Sequence, residues 1–182
     1  MGSNATAANL ILRKHLKDHG SVDAKTMDLW YNAVTSDKPT TYKGTKFEGQ
    51  ILYKITIGSG VINEAQDPNG KADGYVRFGK KESEGLFTKR WLYTSSVKEK
   101  TLSPMWMETC YIRINPTKHS ELLLELWDKD LIKDDFIGSC LVNFAKCSEF
   151  FGIDEYFTVK DSKGKETGKV FLSIKVHKKF DY

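Results

Sequence analysis

The sequence contains few cysteines and prolines and lacks a long apolar run. Its 182 residues include three cysteines and four prolines. Cys110, Cys140 and Cys147 are odd in number and lack the paired spacing of zinc ligands, which indicates reduced thiols in an intracellular compartment. No run approaches the ~18 apolar residues of a membrane-spanning helix, and no secretory hydrophobic region stands near the start. We therefore expect a cytoplasmic protein.

Motifs of catalysis are missing as well. The sequence has neither a glycine-rich phosphate loop nor a nucleophile elbow, so it predicts no catalytic constellation. Its tandem lysines are too sparse, and too little interleaved with aromatic residues, to indicate nucleic-acid binding. The four histidines form no ligand pair near a cysteine; they are His15, His19, His119 and His177. We therefore predict a non-enzymatic protein without a zinc site.

Aspartate, by contrast, is concentrated in two places. The two clusters are Asp67 with Asp73, and Asp128 with Asp130 and Asp135. Each cluster follows an alternating apolar run, residues 51–57 or residues 122–127. Such runs are typical of strands, so both clusters are expected in loops directly after a strand.

If those loops meet at one end of a sheet, five carboxylates converge. Like charges ~5.5 Å apart repel by about 3 kcal/mol per pair at an effective dielectric of about 20. A hard divalent cation would relieve this repulsion, and calcium accepts about six to eight oxygens in loose geometry. The clusters therefore predict a calcium site, while the alternative for any single aspartate is a solvated turn residue.

Four segments, in the same order along the chain, resemble those of a C2 domain. Residues 67–76 read Asp-Pro-Asn-Gly-Lys-Ala-Asp-Gly-Tyr-Val, and residues 127–138 carry the second cluster. Residues 101–108, Thr-Leu-Ser-Pro-Met-Trp-Met-Glu, are similar to the family's Thr-Leu-Asn-Pro-x-Trp-x-Glu, and residues 168–174 resemble its last strand. The resemblance is to the C2 domains of synaptotagmins and protein kinase C, and it covers roughly residues 47–178.

This resemblance implies an eight-stranded antiparallel Greek-key β-sandwich, all-β, that binds two or three calcium ions. Two departures from the family pattern are visible. Gly74 replaces the usual proline after Asp73, and the last loop is one residue shorter. The shorter loop leaves Asp134 and Asp135 as alternatives for its third ligand. Asp135 is preferred, because it directly precedes Phe-Ile-Gly at 136–138, as the family ligand does.

Short alternating or apolar runs from residue 47 onward predict the strands. They are expected near 50–58, 74–79, 86–95, 107–114, 121–127, 136–143, 155–160 and 168–176. Residues 40–48 are a candidate for an additional strand, although their alternation is weak. The aromatic residues expected in the core between the two sheets are Trp106, Phe136, Phe144, Phe157 and Phe171.

The sequence before residue 40 differs in kind from the rest. We divide the chain into an N-terminal helical extension at 1–39, the sandwich at 40–178 and a short tail at 179–182. Two alternatives exist for the extension. Its helices pack on the sandwich or on a protein partner through residues 8–35, or they bind a membrane directly.

The helices of this extension are predicted from apolar spacing and caps. Leucines and an isoleucine interleaved with basic residues predict an amphipathic helix over Asn9–Asp18 with a basic side. Gly20 would end this helix. Ser21 or Asp23 could cap a second one, which must stop by Pro39.

The first residues fit a lipidation pattern. Met-Gly-Ser-Asn-Ala-Thr matches Met-Gly-x-x-x-Ser/Thr, which predicts N-myristoylation of Gly2. An expression-vector scar is the alternative interpretation of the same residues. A single myristoyl chain binds membranes only marginally, on the order of 10⁴ M⁻¹, so a second membrane signal would be needed.

The resemblance also implies a mechanism. Five carboxylates carry a charge of about −5, which two calcium ions would change to about −1 and three to about +1. The loop tip Leu131-Ile132, flanked by Lys129 and Lys133, would then enter an anionic phospholipid membrane, with Lys71 also facing the headgroups. The alternative for the tip is packing on a neighbouring loop. We expect a peripheral membrane protein of trafficking or signalling; the alternative is a calcium-independent protein–protein interaction module.

Overall fold

The computed structural model describes residues 12–27, 48–64, 68–80 and 91–180. Within these ranges it contains nine strands. They are β1 (Ser21–Asp23), β2 (Ile51–Ile62), β3 (Gly74–Lys80), β4 (Trp91–Thr94), β5 (Met105–Ile114), β6 (Glu121–Asp128), β7 (Asp135–Asn143), β8 (Ile153–Lys160) and β9 (Glu166–Lys179). The predictions for Gly2, for Asp67 and for a strand over 40–48 lie outside the described residues, save for Glu48, which is in a turn.

The strands form an antiparallel sandwich. Their order is β1-β5-β2-β9-β8-β7-β6-β3-β4, and β7 contacts β8 through the single pair Ser139 and Lys160. This narrow connection divides the strands into a layer of five, β1-β5-β2-β9-β8, and a layer of four, β7-β6-β3-β4. The all-β antiparallel fold expected from the sequence is confirmed, and each of the eight predicted strands overlaps an observed one.

Alternate residues of each strand fill the space between the layers. Phe78 of β3 and Leu124 of β6 are 0% exposed, as is Leu172 of β9. Successive side chains of a strand point to opposite faces, so the residues next to each of these along its strand point away from the core. Trp106 and Phe144 are buried as predicted, at 4% and 2% exposure.

Two of the aromatic residues assigned to the core lie on outer faces instead. Phe136 is 38% exposed and packs edge-on against Trp127, with ring centroids 5.3 Å apart. Phe171 lies between buried residues of β9 and packs edge-on against Tyr156 at 5.2 Å. The core prediction was wrong for both, because each directly adjoins a core position and therefore points the other way.

The described part of the N-terminal extension, residues 12–27, packs on the sandwich. Residues 12–19 are helical, and the helix ends at Gly20, whose φ is +74° and whose N–H donates to Leu16 O at 2.8 Å. Leu16 is 0% exposed in an apolar cluster on the outer face of β5 and β2. The other members of this cluster are Leu12, Val22, Met27, Leu52, Tyr111 and Phe180. Arg13, expected on the basic side of the helix, is 4% exposed and lies over the Phe180 ring.

Residues between the two helices form a strand that the sequence did not predict. Ser21–Asp23 is β1, and Val22 pairs with Tyr111 at the edge of β5. Asp23 also caps helical residues 24–27, since the N–H of Thr26 donates to its Oδ1 at 2.7 Å. The strand covers part of the β5 edge, which would otherwise expose unpaired backbone groups.

Candidate functional site

Asp73, from the first aspartate cluster, and Asp128, from the second, meet at one end of the sandwich. Gly74 opens β3 and pairs with Asp128, the last residue of β6. The N–H of Asp73 donates to Asp128 Oδ1 at 2.6 Å, and the N–H of Lys129 donates to the Asp73 carbonyl at 2.9 Å. These bonds hold the connections after β2 and β6 side by side. We call this region, formed by the β2–β3, β4–β5 and β6–β7 connections, the loop end.

The β4–β5 connection also reaches this site. The N–H of Lys100 donates to Asp73 Oδ1 at 2.6 Å, and Lys100 has a positive φ of 55°. A positive φ is uncommon outside glycine, so the turn presents this N–H at some cost in backbone strain. Below the turn, Trp106 Nε1 donates to the Gly74 carbonyl at 3.3 Å. The β4–β5 and β6–β7 connections therefore both contact the segment that carries Asp73.

Asp128 is the buried member of the group. It is 0% exposed, and one of its oxygens accepts the Asp73 N–H. In the β6–β7 ladder it stands directly opposite Asp135, which is exposed. Residues directly opposite each other in an antiparallel pair present their side chains on the same face, with Cβ atoms roughly 5 Å apart. The register therefore places Asp135 and Asp128 on the same face of the β6–β7 pair.

Asp134, the alternative ligand of the last loop, makes several bonds within the loop. Tyr75 Oη donates to its Oδ2 at 2.6 Å, the N–H of Asp130 donates to Oδ1 at 3.2 Å, and Lys129 Nζ lies 3.3 Å away. The Tyr75 hydrogen bond is the main cause that lowers the pKa of Asp134. Burial and the same hydrogen bond raise the pKa of Tyr75 to about 12. Asp134 thus ties the last loop to β3.

The donors at the loop end have the chemistry of a calcium site. Carboxylate oxygens in loops suit a hard cation with a large and irregular coordination shell. A buried carboxylate such as Asp128 is costly unless hydrogen bonds or a cation compensate it. Within 12–27, 48–64, 68–80 and 91–180, no three His, Cys, Asp or Glu side chains are grouped closely enough to hold a metal ion. The remaining predicted ligand, Asp67, lies outside these ranges.

The tip of the last loop is fully exposed. Leu131 and Ile132 are 105% and 100% exposed, so the alternative that they pack on a neighbouring loop is wrong. Lys129 and Lys133 flank them and are exposed. Lys71, in the first loop, is exposed too, and its N–H donates to Asn69 Oδ1 at 3.0 Å in a tight turn. The tip therefore presents two apolar side chains among cations.

A cluster that the sequence interpretation missed lies beside the loop end. The guanidinium of Arg77 sits 5.0 to 5.6 Å from three aromatic ring centroids on the outer face of β3, β4 and β6. Those rings belong to Tyr75, Trp91 and Trp127. Glu125, 1% exposed, stands opposite Arg77 in the ladder and accepts Trp127 Nε1 at 2.8 Å. The period-two spacing of Tyr75 and Arg77 is the sequence signal that would have placed them on one face.

The fold and the loop end together define a protein of the C2 type. The sequence model of the C2 domain matches residues 52–173, and the chain therefore belongs to the C2 domain family. No helix in the described parts of the chain is long and apolar enough to cross a membrane.

Relatives in sequence are C2 proteins. The chain is 35% identical over 121 residues to mouse extended synaptotagmin-2, a match that covers 62% of this chain and 14% of the relative. It is 32% identical over 127 residues to a C2 domain-containing protein of Dictyostelium discoideum, covering 69% and 62%. It is 28% identical over 124 residues to extended synaptotagmin-2-B of Xenopus laevis, covering 68% and 12%. The chain thus spans a small part of the extended synaptotagmins.

Solved structures show the same fold. A C2 domain of plant extended synaptotagmin 1 superposes with a TM-score of 0.57 at 18% identity, covering 71% of this chain and 97% of that one. A calcium-bound pair of C2 domains from extended synaptotagmin 2 gives a TM-score of 0.52 at 24% identity, covering 69% and 45%. At these identities the likeness establishes the architecture.

Proposed function

We propose that this protein is a non-enzymatic module that binds anionic phospholipid membranes in a calcium-dependent way. The observation that carries the proposal is the fully exposed Leu131-Ile132 tip next to the aspartates of the loop end. An exposed apolar pair of this kind is unfavourable in water and marks an interaction site when it adjoins other recognition groups. The role would be membrane targeting in trafficking or signalling, in a cytoplasmic, peripherally associated protein.

Two or three calcium ions would be held by five carboxylates in this proposal. The ligands would be Asp67, Asp73, Asp128, Asp130 and Asp135. A hydrogen bond between the loops joins Asp73 to Asp128, and Asp135 stands opposite Asp128 in the ladder, which supports this assignment. Asp134 would act as a positioning residue, because its oxygens already accept bonds from Tyr75 and Asp130.

Calcium would change the sign of the interaction with the membrane. Without the ions, clustered carboxylates repel anionic lipid, whereas bound calcium cancels most of that charge and lets lipid phosphate oxygens approach. Burying a leucine or isoleucine contributes about 1.5–3 kcal/mol. A lysine near an anionic leaflet, such as Lys129, Lys133 or Lys71, adds roughly 1 kcal/mol. The apolar tip is therefore expected to contribute most of the affinity after calcium has bound.

Liposome co-sedimentation across a calcium series tests the proposal. With phosphatidylserine vesicles, the wild-type chain should sediment in calcium and stay in solution in EGTA. Asp128→Asn with Asp130→Asn should abolish the calcium-dependent fraction. The control is Asp154→Asn, an exposed aspartate on β8, which should behave as wild type. Equal sedimentation of the double variant and wild type would refute calcium ligation at this site.

The apolar tip has its own pair of matched variants. Leu131→Ser with Ile132→Ser should weaken vesicle binding at least tenfold while leaving calcium binding by calorimetry unchanged. Phe150→Ser with Phe151→Ser is the control, because those side chains are also exposed, at 87% and 74%, in the β7–β8 connection. If the phenylalanine pair proved the more important one, the tip would not be the inserting element.

The rival function is a calcium-independent interaction module with a protein partner on residues 8–35. One observation favours it: backbone N–H groups of Lys100 and Asp73 already bind the carboxylates of Asp73 and Asp128. If calorimetric titration with millimolar calcium gave no heat of binding, this rival would be supported. Acylation of Gly2 is a separate proposal, and an intact mass from native cells that shows an unmodified Gly2 would reject it.

A further inference from the structure

The last turn of the N-terminal helix carries two histidines on one face. Residues 12–19 are helical, and His15 and His19 stand four positions apart. Residues at this spacing are neighbours on the surface of a helix. The two imidazole rings are tilted by 45° to each other, and their centroids lie 4.5 Å apart. His15 is half-buried and His19 is exposed, so solvent reaches the pair from one side.

A hydrogen bond orients the inner ring of the pair. The His15 ring donates to the backbone carbonyl of Ser21, the first residue of β1. A histidine that ligates a metal usually makes such a bond with its second nitrogen, which fixes the tautomer and the ring orientation. Burial and the charge of His19 lower the pKa of His15, so this ring is largely neutral at pH 7. The neutral imidazole is the form that ligates a metal.

The electrostatic surroundings of the pair favour a cation. Both histidines lie in the C-terminal half of the helix, close to the end at which the helix dipole is negative. The carboxylates of Asp18 and Asp23 are close enough to act on the charge of His15. Asp18 is bonded to Lys14 at 2.6 Å, and Asp23 accepts the N–H of Thr26 at 2.7 Å. We therefore expect these two carboxylates to act on a cation through space, or through its bound water, rather than as direct ligands.

The spacing of the two rings suits adjacent positions in the coordination shell of one metal ion. A metal–nitrogen bond of about 2.0 Å would place each ring centre roughly 3.2 Å from the ion. Ring centres 4.5 Å apart then subtend an angle of about 90° at the ion. This is the angle between neighbouring ligands of a square-planar or tetragonal copper or nickel site. A tetrahedral zinc ion would require ring centres about 5.2 Å apart.

We propose that His15 and His19 bind a divalent transition-metal ion, Cu(II) most tightly, with water in the remaining coordination positions. Among divalent ions of the first row, copper forms the most stable complexes with nitrogen and oxygen ligands. Calcium takes oxygen ligands, so this site differs from the loop end in chemistry as well as in position. Because the His15 ring is bonded to Ser21, the bound ion would fasten the end of the helix to β1. Metal binding would thus tighten the N-terminal extension on the sandwich.

Calorimetric titration of the full chain with Cu(II), in a buffer free of calcium and chelator, tests this site. Electron paramagnetic resonance of the copper-loaded chain should show imidazole nitrogen ligands, and Zn(II) should bind more weakly than Cu(II). His15→Gln and His19→Gln should each weaken copper binding at least about tenfold. The matched control is His119→Gln, an exposed histidine in the β5–β6 connection, which should leave the affinity unchanged.

Two further variants test the spacing and the location of the site. Lys17→His in the His19→Gln background supplies a second histidine two positions from His15, where the side chains do not face each other, and should not restore affinity. Asp128→Asn with Asp130→Asn, at the loop end, should leave copper binding intact. No copper binding by the wild type, an equal loss in His119→Gln, or recovery with Lys17→His would overturn the proposal. Because His19 is exposed, His19→Gln should melt at the wild-type temperature without metal, which confirms that its fold is intact.

Discussion

The two ends of the sandwich carry opposite charge within one strand length of each other. At the loop end, Asp73 and Asp128 meet beside an exposed apolar tip. At the opposite end, which we call the basic end, Lys80 and Lys118 line a cavity. The formal net charge of +4 hides this separation because it is a sum over the whole chain. The charges are kept apart because they stand at opposite ends of the same antiparallel strands, and the two ends of every strand lie at opposite ends of the sheet.

The two ends also differ in how they are built. Hydrogen bonds between separate connections hold the loop end together, such as the one from Lys100 to Asp73. At the basic end, Arg113 joins the sandwich to the N-terminal helix through the Leu16 carbonyl. The loop end is therefore positioned by the family framework, whereas the basic end also depends on the extension.

The largest expected effect comes from weakening the packing of the N-terminal helix on the sandwich. Leu16→Ala should lower the free energy of unfolding by about 2–5 kcal/mol, because Leu16 is 0% exposed and the change leaves a cavity. Its matched control at the other end is Leu131→Ala, which should change stability by less than about 0.5 kcal/mol, since that leucine is fully exposed. Urea unfolding measures both. Equal costs would mean that the helix is not part of the folded unit.

Calcium should stabilise the loop end by an intermediate amount. At a free concentration of about 100 times Kd, binding adds about 2.7 kcal/mol, which raises Tm by roughly 5–10 °C in a chain of this size. Asp128→Asn should remove most of this shift, whereas Asp154→Asn should retain it. Differential scanning fluorimetry with calcium and with EGTA gives the comparison. A shift that survives Asp128→Asn would place the ions elsewhere.

The smallest expected effect is a pH dependence of folding stability that arises beside the apolar cluster under the N-terminal helix. Burial, and then the charges of Lys54 and Lys178, lower the pKa of His177, whose ring packs edge-on against Tyr111 at 4.8 Å. The unfolded chain, with an ordinary histidine pKa near 6.5, then binds more protons below that pH than the folded chain does. Stability should therefore fall as pH drops below about 6.5.

His177→Gln should make this pH dependence shallower without abolishing it, because burial lowers the pKa of His15 too. Urea unfolding between pH 7.5 and 5.5 supplies the measurement. An identical slope in the variant would show that His177 takes no part in it.

Much of the architecture was predictable from local pattern. The alternating runs after residue 47 predicted all eight main strands, because period-two burial is a property of the strand itself. Gly20 was correctly placed as the end of the helix, since the left-handed conformation there favours glycine. Asp23 was one of two expected caps, and it caps residues 24–27.

Other features could not be read from local pattern. Phe136 and Phe171 look like core residues by type, yet ladder register directs them to outer faces. Ser21–Asp23 pairs with β5, a partner far along the chain, so no local signal distinguishes it from a helix cap. The stack of Arg77 on three rings joins side chains from three strands.

The sequence by itself determined the strands, the family and the aspartates that stand at strand ends, because these depend on residue type and spacing along the chain. Only the tertiary structure decided that Asp134 bonds to Tyr75 while Asp135 faces Asp128, and that Leu131 and Ile132 are bare. It also decided that basic residues of distant segments share one cavity. The physical reason is that such groupings follow from strand register and from the close approach of loops, which bring together residues that no sequence window contains.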